Sequence, residues 1–277
     1  MLTNEEIWRI PLKQSAVDYG CQPEDFLGEQ GKVTISRKNP QARKYLPLPF
    51  DFDMTSYGNC IVAQCREELV PLAKSYIGKY DVAHAMETPH LQALDDMLAP
   101  YGLRPCFMAE YFLPDVDARR ELTCDYELRV LHQEDFADLY LPEWSDALCE
   151  KRKELDVLGV GAYDGEKLVG LAGCSADCED MWQIGVNVLP RYRRKGVASA
   201  ITSRLALEIL KRGKVPFYCA AWCNLKSVRN AIKCGFRPAW VTVTARDFAF
   251  VENMGLLQNT SFATGLFLRL EIVFCCI

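Results

Sequence analysis

The segment 183–199 changes its hydrophobic period in the middle, and this change constrains the fold more than any other feature of the chain. From 184 to 188, apolar residues alternate with small or polar ones, which predicts a β-strand that ends before Pro190. After Gly196 the apolar residues recur every fourth position, which predicts one buried face of a helix. The residues of that face are Val197, Ile201, Leu205 and Ile209. The segment therefore predicts a strand, a turn and a helix.

The turn between this strand and this helix is strongly basic. Its cations are Arg191, Arg193, Arg194 and Lys195. A helix N-terminus presents unpaired N–H groups and partial positive charge, so it is suited to binding an anion. Gly196 and Ala198 carry almost no side chain that would keep a phosphate away from those N–H groups. We therefore predict that the turn binds a pyrophosphate.

Two common phosphate-binding patterns do not explain the turn. The chain lacks the Walker pattern. The pair Gly159 and Gly161 could begin a dinucleotide-binding fingerprint, but Asp164 stands where the third glycine would be required.

The same stretch resembles the coenzyme A loop of the GCN5-related N-acetyltransferases (GNATs). Their pattern is an apolar strand followed by [Gln/Arg]-x-x-Gly-x-[Gly/Ala], which Arg193, Gly196 and Ala198 match. The resemblance covers about residues 124–247. It implies an α/β (α+β) fold with a mixed central sheet in the C-terminal half of the chain.

The sequence after the loop also follows this family. GNATs place an asparagine at the start of the next helix and Gly-Phe at its end, which resembles Asn224 and the pair 235–236. The resemblance implies acetyl-CoA as co-substrate, and it implies a set of coenzyme-binding residues. These are Val186, Asn187, Val188, Arg193, Arg194, Lys195, Gly196, Val197, Ala198, Ser199 and Asn224. An N-cap is the structural alternative for Asn224.

The residues for proton transfer depart from the family pattern. Many GNATs carry a tyrosine seven residues after the asparagine, where this chain has Ala231. The positions of their basic glutamate correspond to Trp182 and Cys219. The remaining carboxylates near the strand are Asp177, Glu179 and Asp180, of which we take Asp180 and Glu179 as candidate general bases. The alternatives are a solvated loop and a proton relay through water.

Two tryptophans are candidates for the substrate site. Trp144 and Trp182 could form the walls of a cleft for the acceptor, although a tryptophan of this kind is more often part of the core.

Three functions fit these observations. The first is an acetyl-CoA-dependent N-acetyltransferase that modifies a primary amine on a small molecule or a peptide. The alternative is a non-catalytic acyl-CoA-binding or sensor module, which the departures at Ala231, Trp182 and Cys219 favour. The third is an interaction protein that kept the fold alone, and the intact basic turn argues against it.

Composition limits the classes of binding partner that we expect. The net charge of −5 does not favour a general nucleic-acid-binding surface, and the chain has no run of 18 apolar residues that would span a membrane. There are 13 cysteines but no Cys-x-x-Cys, and no histidine lies near the pairs 174/178 and 219/223, so we expect no metal. The first residues do not show the basic and apolar regions of a signal peptide, and we expect a cytoplasmic protein with reduced thiols.

The predicted organisation has three parts. Residues 1–120 form a smaller α/β domain that shapes the acceptor site, 124–250 form the GNAT domain, and 251–277 form a tail with a final strand. A charged linker is expected at 114–121. Gly-Leu-Arg-Pro at 102–105 resembles Gly-Phe-Arg-Pro at 235–238, and this repeat suggests that the first domain is a degenerate GNAT-like half.

Overall fold

The computed structural model describes residues 2–254, and these residues form two compact units. The first, which we call the basic-turn unit, contains residues 2–11 and 110–239. The second unit contains residues 12–109 and 240–254. Each unit is therefore built from two separate stretches of chain, whereas the sequence analysis expected contiguous domains.

Helices and strands alternate along most of the chain. The helices are α1 (Asn4–Tyr19), α2 (Val70–Lys79), α3 (Thr88–Leu98), α4 (Val197–Lys211) and α5 (Leu225–Lys233). The first five strands are β1 (Lys32–Ile35), β2 (Phe52–Ser56), β3 (Ile61–Cys65), β4 (Leu103–Pro114) and β5 (Glu127–His132). The others are β6 (Asp156–Asp164), β7 (Lys167–Ser175), β8 (Met181–Val188), β9 (Val215–Ala221) and β10 (Phe236–Asp247).

The sheet of the basic-turn unit contains antiparallel strands and one parallel pair. Its strands follow the order β9-β8-β7-β6-β5. Strands β5 to β8 are antiparallel to their neighbours, and β8 is parallel to β9. The predicted hairpin is confirmed, because Asp164 pairs with Lys167 and Gly165 has a φ of +61° at the turn. This is the mixed sheet that the sequence predicted for the C-terminal half.

Helix α4 covers one face of this sheet. Its predicted apolar stripe is confirmed: Val197 is 1% exposed, and Ile201, Leu205 and Ile209 are fully buried. They pack in one cluster with Val160, Ile184 and Tyr218 of three different strands. Full burial of a side chain of this size stabilises the fold by about 1.5–3 kcal/mol, so the stripe fixes α4 on the sheet.

The chain at 144–148 packs against β7 and β8 at two glycines. A Cβ atom at Gly173 would lie 2.2 Å from the carbonyl oxygen of Ala147, and one at Gly185 would lie 1.8 Å from that of Asp146. Both distances are far shorter than a van der Waals contact. The backbone of 146–147 can therefore approach the sheet only because these two positions have no side chain.

The second unit has its own hydrophobic core. Its strands include the order β1-β3-β2-β10, in which β1 and β3 are parallel and the other pairs are antiparallel. The strand-like segment 52–65 is a hairpin, β2 and β3, with every strand residue buried. Its core cluster includes Leu69, Ala73 and Tyr76, together with Leu94 and Leu98 of α3.

Strand β10 explains why residues after 239 belong to the second unit rather than to the predicted domain 124–250. Val241 to Ala245 pair with Ser56 to Phe52 of β2. Hydrophobic alternation predicts that 238–247 form a strand, but it does not reveal which strand they pair with.

The segment 114–121 is docked and is not the solvated linker that its charges suggested. The amide N–H of Asp115 donates to the carbonyl oxygen of Gly235 at 2.9 Å, and the N–H of Leu122 donates to Ser203 Oγ at 2.9 Å. Phe112 is fully buried in the core of the basic-turn unit. A chain that begins near Cys124 would therefore lack part of this core.

The internal repeat has the same local conformation at both of its copies. Gly102 and Gly235 have φ angles of +72° and +83°, and each stands between a helical segment and a strand of 12 residues. This similarity is local, so the degenerate half stays a prediction. The final strand predicted around Leu268, Leu270, Ile272 and Phe274 lies outside the described residues.

The close approach at Gly185 gives a test of this packing. Gly185→Ala should destabilise the protein by about 1–3 kcal/mol or more, because its Cβ must displace backbone rather than a flexible side chain. Gly78→Ala in α2 is the matched control, since no atom lies within 4 Å of the added Cβ and φ is not positive. It should stabilise by up to about 1 kcal/mol. Urea unfolding of both variants measures this, and equal stabilities would contradict the packing at 146–147.

Candidate functional site

Strand β8 separates from β9 halfway along its length. With β7 it pairs from Gln183 to Val188, whereas with β9 it pairs from Met181 only as far as Ile184, which faces Tyr218. Beyond that pair, the edge of β8 that faces β9 is open within the described part of the chain. The two strands therefore border a wedge, which we define by residues 185–188 of β8 and residues 219–221 of β9.

The direction of the ladder shows which backbone groups face the wedge. The N–H of Leu189 donates to the carbonyl oxygen of Val169 on β7 at 3.0 Å. Because backbone groups alternate between the two edges of a strand, those of Val186 and Val188 point the other way, toward β9. These are two of the residues that the family resemblance assigned to the coenzyme. The amide of Leu189 itself is occupied.

The basic turn follows directly after the wedge. A short 3₁₀ helix, Pro190–Tyr192, leads into Arg194 and Gly196, whose φ angles are +62° and +82°. Positive φ is unusual for arginine. Backbone of this kind can turn successive N–H groups into one concavity that binds anions. None of the N–H groups from 194 to 199 donates to a protein acceptor in the residues that the structure describes.

The four cations of the turn have different roles. Arg193 Nε donates to the carbonyl oxygen of Val188 at 2.9 Å, and Lys195 Nζ donates to the hydroxyl of Tyr126 at 3.2 Å. Both side chains therefore fix the turn on its own unit. Arg191 and Arg194 are exposed, and neither has an ion-pair partner within residues 2–254. They are the cations most available to an anion.

Two predicted coenzyme-binding side chains have structural tasks. Asn224 Oδ1 accepts from the N–H of Ser227 at 3.3 Å, so it is the N-cap of α5. Asn187 Oδ1 accepts from the N–H groups of Asp146 and Ala147 at 2.8 and 2.9 Å, and its Nδ2 donates to Asp146 Oδ2 at 2.6 Å. Asn187 thus holds the segment 146–147 on β8 with all of its polar atoms.

The candidate bases Glu179 and Asp180 lie away from the wedge. They precede β8, whereas the turn follows it, and a strand of eight residues spans roughly 23 Å between its ends. Both are exposed, and Asp180 lies 3.4 Å from Lys214. The solvated-loop alternative describes this location. Asp177 is fully buried and forms an ion pair with Arg152 at 3.0 Å.

The two tryptophans differ in burial. Trp144 is 4% exposed and packs with Phe136 and Leu148, so it is part of a core and not the wall of an open cleft. Trp182 is half-buried and packs against the cluster under α4. The core alternative therefore describes Trp144, and the substrate role of Trp182 stays a prediction.

A hydroxyl pair that sequence reasoning missed lies at the start of the wedge. Tyr218 is the last residue of β9 that pairs with β8, and its hydroxyl lies 2.9 Å from Ser227 Oγ in the first turn of α5. Burial raises the pKa of Tyr218 above its ordinary value, so the phenol stays protonated at neutral pH. Ala231, one turn after Ser227, packs in the same cluster as Tyr218. The family pattern directed attention to the helix, whereas this tyrosine is on the strand.

A buried carboxylate, also missed, lies at the start of β6. Asp156 is 1% exposed, and its Oδ2 accepts from the N–H of Cys149 at 2.8 Å. Burial raises its pKa to about 7. Nothing in the local sequence pattern distinguishes this aspartate from an exposed one.

The comparison with protein families agrees with this geometry. Residues 109–240, just under half of the chain, match the model of the GNAT acetyltransferase family. This part of the chain is a GNAT domain. No curated protein matches the chain.

Solved structures also resemble the chain over part of its length. A GCN5-related N-acetyltransferase-like protein from Streptococcus suis is 20% identical, with a TM-score of 0.42, over 58% of this chain and 69% of its own. A GCN5-related N-acetyltransferase from Kribbella flavida is 16% identical, with a TM-score of 0.40, over 56% of this chain and 64% of its own. A functionally unknown conserved protein from Staphylococcus epidermidis is 12% identical, with a TM-score of 0.44, over 68% and 84%. The match thus leaves about a third of the first two chains uncovered.

Two further findings concern the described residues as a whole. No helix among them has the length and apolar character needed to cross a bilayer. No group of three or more histidine, cysteine or acidic side chains in residues 2–254 is arranged to hold a metal ion.

The buried carboxylate near the GNAT sheet predicts a dependence of stability on pH. The pKa of Asp156 is higher in the folded state, so its stabilising contribution is complete below its unfolded pKa near 4 and is lost as pH rises through about 7. Asp156→Asn cannot ionise. Its free energy of unfolding relative to the wild type should therefore increase between about pH 5 and pH 8. Urea unfolding at both values measures this, and a difference that does not change with pH would contradict the assignment.

Proposed function

We propose that the GNAT domain is an acetyl-CoA-dependent N-acetyltransferase, which moves the acetyl group to a primary amine on a small molecule or a peptide. One observation carries the proposal. The open edge of β8 leads directly into a turn whose N–H groups, from 194 to 199, have no acceptor in the described protein. An extended ligand that ends in a pyrophosphate has the shape to pair with this edge and the charge to bind these N–H groups.

The turn is suited to the pyrophosphate. The N–H groups at the start of α4 and the side chain of Arg194 supply donors and positive charge, and hydrogen bonds to charged groups contribute about 1.5–3 kcal/mol each. Gly196 is required for its φ of +82° and for close approach. Packing does not require it, because an added Cβ would meet its nearest protein atom only at 3.6 Å.

The edge of β8 is suited to the pantetheine arm and to the thioester. The arm would pair with the backbone of Val186 and Val188 in the way that an added strand pairs with a sheet. The carbonyl oxygen of Val188 already accepts from Arg193. The N–H of Val188 is therefore our proposed donor to the thioester oxygen, where negative charge develops during the reaction.

The reaction requires two proton transfers. The neutral amine attacks the thioester carbon, the C–S bond breaks, and the departing thiolate takes a proton. We assign that proton to the hydroxyl pair of Ser227 and Tyr218, in which Ser227 is half-buried and Tyr218 supplies a protonated phenol behind it. Because Glu179 and Asp180 lie beyond the other end of β8, we assign the amine proton to water.

The second candidate function is a non-catalytic acyl-CoA-binding module. It is favoured by the buried Ala231, which replaces the tyrosine of many GNATs, and by the fact that Tyr218 is only 2% exposed. Both functions require coenzyme binding. Release of free thiol from acetyl-CoA in the presence of a panel of amines separates them, because only the transferase releases it.

The glycine of the turn provides the test of coenzyme binding. Gly196→Asp should abolish acetyl-CoA binding in calorimetry, since it places a side chain and a negative charge where the pyrophosphate would lie. Gly213→Asp, at the other end of α4, is the matched control. Its φ of +74° imposes a similar backbone cost, and no atom lies within 4 Å of its added Cβ. If both variants keep the wild-type affinity, the turn does not bind the coenzyme.

The hydroxyl pair provides the test of catalysis. Tyr218→Phe should lower turnover by about 10²–10⁴-fold, the usual contribution of a general acid, while acetyl-CoA affinity stays unchanged. Tyr76→Phe in the second unit is the control, because it also removes a buried hydroxyl, one that donates to the carbonyl oxygen of Ala85 at 2.6 Å. Wild-type turnover in Tyr218→Phe would remove the pair from the mechanism.

A further inference from the structure

The second unit contains a cavity that the proposed acetyl transfer does not use. Its volume is about 470 Å³, which is within the range of small-molecule sites. It lies at the C-terminal end of α1, next to the end of β1. Its lining is formed by residues 17–20, 34–35 and 37–40.

One side of this cavity is a cationic loop. Residues 37–44 contain Arg37, Lys38, Arg43 and Lys44 and no acidic residue. Arg43 forms an ion pair with Asp18, and Lys44 Nζ donates to the carbonyl oxygen of Pro40. Arg37 and Lys38 are exposed and have no ion-pair or hydrogen-bond partner in the part of the chain that the structure describes.

The loop is held in place without a ligand. Arg43 Nε lies 2.5 Å from Asp18 Oδ2, and these two side chains are only 3% and 0% exposed. The N–H of Arg43 also donates to Asp18 Oδ1 at 2.9 Å, and Asn39 Nδ2 donates to the carbonyl oxygen of Val17 at 3.0 Å. Because these bonds fix the loop on α1, binding would require little further ordering of the backbone.

The unneutralised formal charges on the lining of the cavity are positive. The carboxylate of Asp18 is neutralised by Arg43, and two carbonyl groups at the end of α1 are already satisfied, one by Asn39 and the other, that of Tyr19, by Thr34 Oγ1 at 2.7 Å. The remaining formal charges on its lining are those of Arg37 and Lys38. Part of the lining is apolar, including Ile35, which is 36% exposed.

We propose that this cavity binds a small organic anion, with its carboxylate or phosphate on Arg37 and Lys38 and a short apolar body against Val17, Ile35 and Pro40. A guanidinium binds either headgroup through two parallel hydrogen bonds. The competing explanation is that both cations only complement the negative end of the α1 dipole. That explanation requires no bound ligand.

The test uses the full chain and simple probes. Calorimetric titration with hexanoate should give saturable binding at least about tenfold tighter than with acetate, because the additional methylene groups become buried. Hexyl phosphate carries the same apolar chain on a different headgroup. The tighter of the two probes therefore shows whether the cavity prefers a carboxylate or a phosphate. Arg37→Ala/Lys38→Ala should weaken the tighter probe by about tenfold or more, through the loss of charged hydrogen bonds.

The matched control is Lys13→Ala/Lys74→Ala. It removes the same charge from exposed positions of the same unit, outside the cavity lining, and should leave affinity unchanged. Acetyl-CoA binding should be the same in all of these variants, so failure of this site is distinguishable from failure of the coenzyme turn. Absence of hexanoate and hexyl phosphate binding would overturn the proposal. Equal affinity in the wild type and in Arg37→Ala/Lys38→Ala would overturn it as well.

Discussion

The separation of β8 from β9 is the constraint on which the rest of the GNAT domain depends. Parallel strands gain a hydrogen bond at each step, and two that part before their ends leave polar backbone groups to be satisfied in another way. Beyond Ile184 and Tyr218, β8 and β9 no longer pair with each other. The groups that face the wedge are satisfied by Arg193 at Val188, by solvent, or by an extended ligand.

An open edge of this kind requires support from every other direction. Strand β7 pairs with β8 along Gln183 to Val188, and α4 covers one face with its buried stripe. The opposite face is held by the segment 146–147, which Asn187 binds through both of its polar atoms and which Gly185 allows to approach. With three sides fixed, β8 keeps its position where its fourth side has no strand. This accounts for an asparagine that bonds to protein at a position where the family resemblance suggested coenzyme.

The sequence predicts the helices and strands of this domain better than it predicts which strands pair with one another. The change of period near Gly196 predicts the strand, the turn and the helix, because side-chain periodicity directly reports which face is buried. The hairpin at Gly165 follows from turn chemistry, for a similar reason. The pairing of β10 with β2 and the separation of β8 from β9 are long-range choices, and local periodicity carries no information on them.

The same limit applies to individual side chains at the site. Asp180 is five residues from Gly185 in sequence, yet the intervening strand carries it away from the wedge instead of into it. Trp144 is a large aromatic residue of a type that often lines substrate sites, but its burial against Phe136 and Leu148 is a property of the packed core. The conformation and the charge of the basic turn could be predicted because both are determined by consecutive residues.

The position of Tyr218 bears on the proton donor that we propose. A proton donor is defined by where its hydroxyl lies, and different backbone positions can supply it. Here the ring extends from β9 to the first turn of α5, where its hydroxyl meets Ser227. A small residue at 231 belongs to the same buried cluster, as expected if the ring occupies volume that a side chain from the helix would otherwise fill. The alanine at position 231 is therefore compatible with the proposed proton donor on the strand.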